Sequence, residues 1–405
     1  MAEKTDSIKD RRLRIIWNSN SHFSWSGYGV FTRDLLFRLR DDGWTIAEIA
    51  FWGLQGHELD ADGIHMYPVM ADPYGSDALL NHSLDFKANV AFTMQDVWSL
   101  QPQDLQGLIN NKIHWLPYLP IDQEPAQDAV LQKLNYAYKI ITFSKFGQRV
   151  LSDHGYSSKL IVEGTDTNIF KPMDKIPLRE KLKLPQDMFL FCMIAANKEN
   201  PPRKGFHEAL EAFKLFHDNH PNSGIFFHTQ QLSPTGFPIQ GYANHLGLAK
   251  NVFFLNQYVA TFKADSNNIV EEINASDVVL HPSMTEGFGL LVIEGQACGK
   301  PVIINDCTSM PELVIKDKTG WICKTGKAWW KHSGGYAHFA DVESLHEQME
   351  KVYKALSKPN TIAQDARENV VKNYNIDMLF KEQWIPFLEQ LQTDLLGVDL
   401  KEKKE

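Results

Sequence analysis

The segment His281-Pro-Ser-Met-Thr-Glu-Gly-Phe-Gly-Leu-Leu-Val-Ile-Glu294 places two carboxylates, Glu286 and Glu294, on either side of a Gly-Phe-Gly turn. The pattern predicts a strand ending near His281, a glycine-rich loop, and a helix from about Leu290 to Ala297 stopped by Gly299. Glycine lets a backbone approach a ligand closely. N–H groups at a helix start favour an anion such as a diphosphate. A carboxylate beside them accepts strong hydrogen bonds from sugar hydroxyls. Taken singly, Glu286 reads as a helix cap and Glu294 as a solvated helix residue. Their combination with the glycine loop favours a ligand site.

A second cluster, Ala195-Ala-Asn-Lys-Glu-Asn-Pro-Pro-Arg-Lys-Gly-Phe206, leaves a strand and enters a helix. Lys198, Arg203 and Lys204 concentrate positive charge there, in a chain whose net charge is −9. A departing diphosphate gains negative charge as its bond breaks and needs such a neighbourhood. The alternative is a solvated basic loop, which the position between strand and helix disfavours.

These loops need a scaffold. Short apolar runs at Leu13–Trp17, Ile46–Phe51, Val90–Thr93, His114–Leu116 and Lys139–Phe143 read as buried strands, with helical patterns between several of them. The pattern restarts at Phe189–Ala195 and continues through Ile225–His228, Val252–Leu255, Val278–His281 and Pro301–Ile304. Strand–helix alternation implies parallel, doubly wound sheets. Two α/β units in tandem suit 405 residues. Lysine and proline crowd Pro172–Pro185, which reads as the junction. A final helix is predicted over about Met378–Leu396, able to cross back to the first unit. The terminal KEKKE reads as a disordered tail.

Bulk properties narrow the function. Hydrophobic residues make up 43% and charged residues 22%, an ordinary globular composition. The acidic balance excludes a general nucleic-acid binder. The four cysteines show no metal-ligand spacing and read as reduced, buried thiols. The polar start of the chain has no signal-peptide core, and no run reaches the ~18 apolar residues of a spanning helix. The expectation is a cytoplasmic protein, with peripheral membrane contact left open.

Taken together, the quoted motifs resemble the retaining glycosyltransferases of family 4, also called glycosyl transferases group 1. Glu286, seven residues and then Glu294 around Gly-Phe-Gly resemble the family signature. Gly164-Thr-Asp-Thr-Asn-Ile-Phe-Lys-Pro172 resembles its G-V-D-x-x-x-F-x-P segment, and Glu199-Asn-Pro-Pro-Arg-Lys-Gly-Phe206 its donor-diphosphate loop. The stretch from Ser144 to Gly164 and the region from Asp306 to Gly320-Trp-Ile are also similar. The likeness spans about residues 140–395 well and 13–45 loosely.

The resemblance implies an α/β GT-B fold, two Rossmann-like domains facing a central cleft. An acceptor-side domain would cover residues 1–174 and a nucleotide-sugar domain 175–377, with the last helix and tail over 378–405. It further implies transfer from a UDP-, GDP- or ADP-sugar with retained anomeric configuration and no cofactor. Glu286 would contact the donor sugar. Gly287, Phe288, Gly289 and Leu290 would offer backbone amides, and Glu294 would bind the ribose. Lys204 would hold the diphosphate beside Arg203, with Lys198 where the family more often has Arg. Gly27 would approach the phosphates from the first domain. The chain departs from the family in two places. It reads Phe92-Thr-Met-Gln-Asp-Val-Trp98 where the family often has a histidine, so Gln95 or Asp96 stands as the acceptor-side candidate. Its first loop has Gly-Tyr-Gly rather than adjacent glycines. The acceptor is left open among saccharide, lipid, protein and small molecule.

Other signals carry less. Asp60 and Asp62 form the one carboxylate pair of the kind that holds Mg²⁺, but they lie far in sequence from the donor loops, so a metal-independent reaction is expected. Gly295-Gln-Ala-Cys-Gly-Lys-Pro301 is one residue short of a P-loop and ends in proline. No G-x-G-x-x-G follows the first strand, which disfavours an NAD-dependent oxidoreductase. Trp329-Trp330 reads equally as an acceptor platform or as an insertion packed on its own domain. Two readings compete with transfer: a phosphorylase-like or sugar-phosphate synthase activity on the same fold, and a sugar- or nucleotide-binding protein without catalysis.

Overall fold

A computed structural model describes residues 12–231, 233–262 and 265–397. Residues 1–11 and the KEKKE tail lie outside them. The chain divides into two compact units. The first comprises residues up to Ile121, then Ala126–Gly164 and the residues from Ile376 onward. The second comprises Asp122–Pro125 and Thr165–Asn375.

The first unit is built on eight strands: β1 (Arg14–Asn20), β2 (Thr45–Gln55), β3 (Leu59–Ala61), β4 (Ile64–Val69), β5 (Val90–Thr93), β6 (His114–Leu119), β7 (Ile140–Thr142) and β8 (Ser158–Leu160). They align in the order β3-β4-β2-β1-β5-β6-β7-β8. All neighbours are parallel except β3 and β4. A central parallel strand is covered on both faces, which is why β1 and β5 read as continuous apolar runs. β8 escapes that reading because it is a three-residue mixed run at the sheet edge, and β4 because His65 and Pro68 interrupt its apolar run.

The second unit holds β9 (Phe189–Ile194), β10 (Ser223–His228), β11 (Val252–Phe254), β12 (Val278–His281), β13 (Val302–Asn305) and β14 (Gly320–Cys323). Their order is β11-β10-β9-β12-β13-β14, all parallel. Phe191, Phe206, Phe213, Ile225, Leu280 and Leu345 join the sheet to its helices in one buried cluster. A separate antiparallel hairpin follows, β15 (Thr325–Lys331) and β16 (Gly335–Ala340). All four cysteines are buried and unpaired. Among the described residues no helix is long and apolar enough to cross a membrane.

Two boundaries differ from expectation. Pro172–Pro185 is not a linker. It contains a helix, Lys175–Lys181, capped by the Asp174 carboxylate. Arg179 within it is buried and donates to the carbonyls of Ala275, Gln186 and Met188 and to the Asp277 carboxylate. The division falls instead between Gly164 and Thr165, because Thr165 already pairs with Tyr374 and Arg367 ties down Thr167 and Phe170. The final helix is not continuous over Met378–Leu396 either. Ile376–Leu379 and Ile385–Leu396 flank a π-type turn at Phe380–Trp384. Pro386 lacks an N–H and would press on a carbonyl of the preceding turn, which the wider turn relieves. These residues belong to the first unit, where Trp384 lies 6.0 Å from Trp17 and 5.2 Å from Tyr118.

Candidate active site

In a doubly wound sheet, ligands gather where the strand order reverses, outside the carboxyl ends of the strands. In the second unit that point lies between β9 and β12, which are hydrogen-bonded neighbours. The loop after β9 is the basic cluster and the loop after β12 is the Glu286 loop. Topology alone therefore brings together two segments that lie some 80 residues apart in sequence.

The two loops touch through backbone as well as side chain. The Met284 N–H donates to the Arg203 carbonyl at 2.7 Å. An Arg203 guanidinium nitrogen donates to the Thr285 carbonyl at 2.8 Å. Lys204 Nζ donates to Glu286 Oε1 at 2.5 Å, and Arg203 stands 3.8 Å from Oε2. His281 Nε2 lies 3.0 Å from the same Oε1. Burial pushes the Glu286 carboxyl up. Lys204, His281 and Arg203 together outweigh it and hold the group well below the usual carboxylate range. The Lys204 ammonium is shifted down by burial and by Arg203, with Glu286 opposing. Glu286 is thus a carboxylate among three basic side chains.

The glycine loop is held in place from the loop after the next strand. The Glu286 N–H donates to Thr308 Oγ1 at 3.0 Å. Ser309 Oγ donates to the carbonyls of Glu286 and Phe288. Gly289 caps the Leu290–Ala297 helix at φ 115°, a conformation that disfavours any side chain. Glu294 sits in the second turn of that helix and is buried. Gly287 and Leu290 are half-buried, Phe288 is buried, and Lys198 is exposed in the basic loop.

This arrangement coincides with a family match. Residues 174–369 fit the model described as glycosyl transferases group 1. They form a group 1 glycosyltransferase domain. A D-inositol 3-phosphate glycosyltransferase of Acidothermus cellulolyticus is 30% identical over 152 residues, covering 36% of this chain and 32% of that protein. The chain thus spans about a third of the length of that curated relative. Among solved structures, the sucrose-phosphate synthase of Thermosynechococcus elongatus superposes with a TM-score of 0.75 at 18% identity. The alignment covers 95% of this chain and all of that one. Anabaena HepE, solved with UDP and glucose, gives a TM-score of 0.69 at 19% identity, over 93% and 99% of the two chains. The fold is therefore GT-B across almost the whole chain.

Within the glycosyltransferase domain, Gly205 is what lets the loops meet. It adopts φ 75°, and a Cβ there would collide with the Pro282 carbonyl oxygen. Gly205→Ala should destabilise the protein by about 2–3 kcal/mol through left-handed strain and displacement of the Glu286 loop. Thermal unfolding checks this. A melting temperature within about one degree of wild type would contradict it.

In the first unit, the switch point lies between β1 and β5, and the candidates there behave differently from one another. Gly27 is the first helical residue, exposed, beside the Ser26 cap. Gly29 is the sterically required glycine, since a Cβ would run into the Ser24 and Ser21 carbonyls. Gln95 is buried and donates to Ser99, while Asn18 donates to it, so it braces the loop. Asp96 is exposed at the end of that loop. Asp60 and Asp62 face histidines: Asp60 bonds His65 Nδ1 at 2.8 Å, and Asp62 lies 3.2 Å from His22 Nε2.

Two features of the site were not singled out from the sequence. His281 stands at a strand end five residues before Glu286, and that spacing was its only local signal. Asp122–Pro125, distant in sequence, packs on the hairpin: Asp122 lies 3.6 Å from Lys331 and Ser333 donates to Gln123.

Proposed function

We propose that this chain is a retaining glycosyltransferase of family 4 that moves a sugar from a nucleoside-diphosphate sugar to an acceptor without a metal ion. The observation that carries the reading is the Glu286–Lys204–Arg203–His281 cluster, formed where the two switch-point loops of a group 1 domain meet.

The roles follow from charge. Lys204 and Arg203, with Lys198 at the loop entrance, take the diphosphate, assisted by the amides of Gly287–Leu290 and the helix start. Glu286 accepts hydrogen bonds from donor-sugar hydroxyls, and Glu294 from the ribose. Within the first unit, Asp96 is the exposed carboxylate we assign to the acceptor, and Gly27 opens the helix that follows β1. HepE holds UDP-glucose on this fold, so a UDP-sugar is the first donor to test, before GDP- and ADP-sugars. The bond from the anomeric carbon to the diphosphate oxygen breaks. The acceptor oxygen attacks from the same face, and its proton passes to the departing diphosphate.

The test is a transfer assay with and without EDTA, followed by proton NMR of the first-formed product. The donor's anomeric configuration should be retained and activity should survive EDTA. An inverted linkage, or activity abolished by EDTA and restored by Mn²⁺, would refute the mechanism.

A further inference from the structure

The hairpin β15–β16 shows solvent three large aromatic side chains, Trp329, Trp330 and Tyr336. Single exposed aromatics are ordinary, but a cluster marks an interaction site. Residues directly opposite in an antiparallel pair share a face. Trp330 faces Tyr336 and Ala328 faces His338, so these four line one side. Trp329 with Ala337, and Lys331 with Gly335, line the other. That second side is covered near the turn, where a Cβ on Gly335 would collide with Gln123. The first side presents an open aromatic pair, with Trp330 54% and Tyr336 45% exposed, whereas on the second side Trp329, 45% exposed, stands opposite Ala337.

The open side is shaped and placed for a sugar. The Trp330 and Tyr336 rings meet edge to face, with centroids 4.8 Å apart at 75°. They form a corner that offers ring faces to the C–H surface of a pyranose, with a phenol and the His338 imidazole for its hydroxyls. The side is continuous with the loop that carries Glu286. The His338 N–H donates to the Met284 carbonyl at 3.1 Å, and Asn305 Nδ2 bonds the carbonyls of both His338 and Ser283. From the hairpin's other side, Lys331 lies 3.6 Å from Asp122, which accepts from Thr285 beside Glu286. A lipid surface would call for cations among the aromatics. The four residues of the open side include no lysine or arginine.

We propose that the Trp330–Tyr336 side of this hairpin holds a sugar ring of the acceptor, so that the acceptor is a saccharide or glycoside. This rests on the glycosyltransferase reading above. The test applies the full chain, with Trp330→Ala, Trp330→Phe and Tyr336→Ala variants, to an array of mono- to hexasaccharides with UDP present. Sedimentation with vesicles of phosphatidylglycerol and phosphatidylcholine runs in parallel. Wild type should capture at least one glycan class. Both alanine variants should lose roughly tenfold in apparent affinity, and Trp330→Phe, which keeps a flat ring, should lose less. The proposal is overturned by undiminished glycan capture in Trp330→Ala, by no glycan capture in wild type, or by vesicle binding that Trp330→Ala abolishes. Calorimetric UDP binding to the wild type separates the two readings. Its absence removes the donor assignment, whereas aromatic-dependent glycan capture upholds the platform in either case.

Discussion

Replacing Glu286 with alanine should lower the turnover of sugar transfer by about a hundredfold or more, with a much smaller change in the donor KM. The expectation rests on where the carboxylate sits. It is held ionised among Lys204, His281 and Arg203, and its backbone is fixed by Thr308 and Ser309. Such a group is already ionised when charge develops on the donor sugar. An interaction that strengthens only in the transition state affects turnover rather than binding. Glu286→Gln keeps the shape and loses the charge, so it should recover only part of the rate. Nucleotide release measured across donor concentrations separates turnover from KM. A turnover within about threefold of wild type in Glu286→Ala would remove this residue from the catalytic assignment.

Much of the donor site was legible in the sequence because its determinants are local. β12, the Gly-Phe-Gly loop and the following helix are contiguous, and each has its own signal: an unbroken apolar run, glycines, and a helix stop at Gly299. The same holds for the basic loop after β9. What joined them was topology. Two parallel strands that are neighbours in the sheet place their following loops side by side, however far apart they are in sequence. His281 became visible as a partner of Glu286 only once the carboxylate's orientation was fixed. Composition misled where tertiary burial overrode it. Lysine and proline suggested a junction at Pro172–Pro185, yet Arg179 there is buried among backbone carbonyls and the Asp277 carboxylate, and Leu178 and Leu184 join a buried cluster, so the segment is anchored to the second unit. The hairpin β15–β16 gave no alternation to read, since aromatics lie on both of its sides.

Lys204 and Glu286 should respond oppositely when nucleotide binding is measured, although they are paired. In the free protein Lys204 is bonded to Glu286 at 2.5 Å, so an arriving diphosphate must compete with that carboxylate for the ammonium. Lys204→Ala removes a charge-assisted contact and should weaken UDP binding by about 1.5–3 kcal/mol. Glu286→Ala removes the competitor, and its own negative charge, from the place the diphosphate must reach. UDP should therefore bind Glu286→Ala as tightly as wild type or several-fold more tightly, while transfer by the same variant collapses. The double variant completes a cycle. Because the two side chains are in contact, their effects on UDP affinity should not add, with a coupling of about 1–2 kcal/mol. Without Lys204, there is less for Glu286 to block, so removing it should gain less. Calorimetric titration of the four proteins with UDP gives all the terms. Glu286→Ala weakening UDP as much as Lys204→Ala would mean that the carboxylate supports nucleotide binding directly, and the competition between sugar-side anion and diphosphate would be wrong.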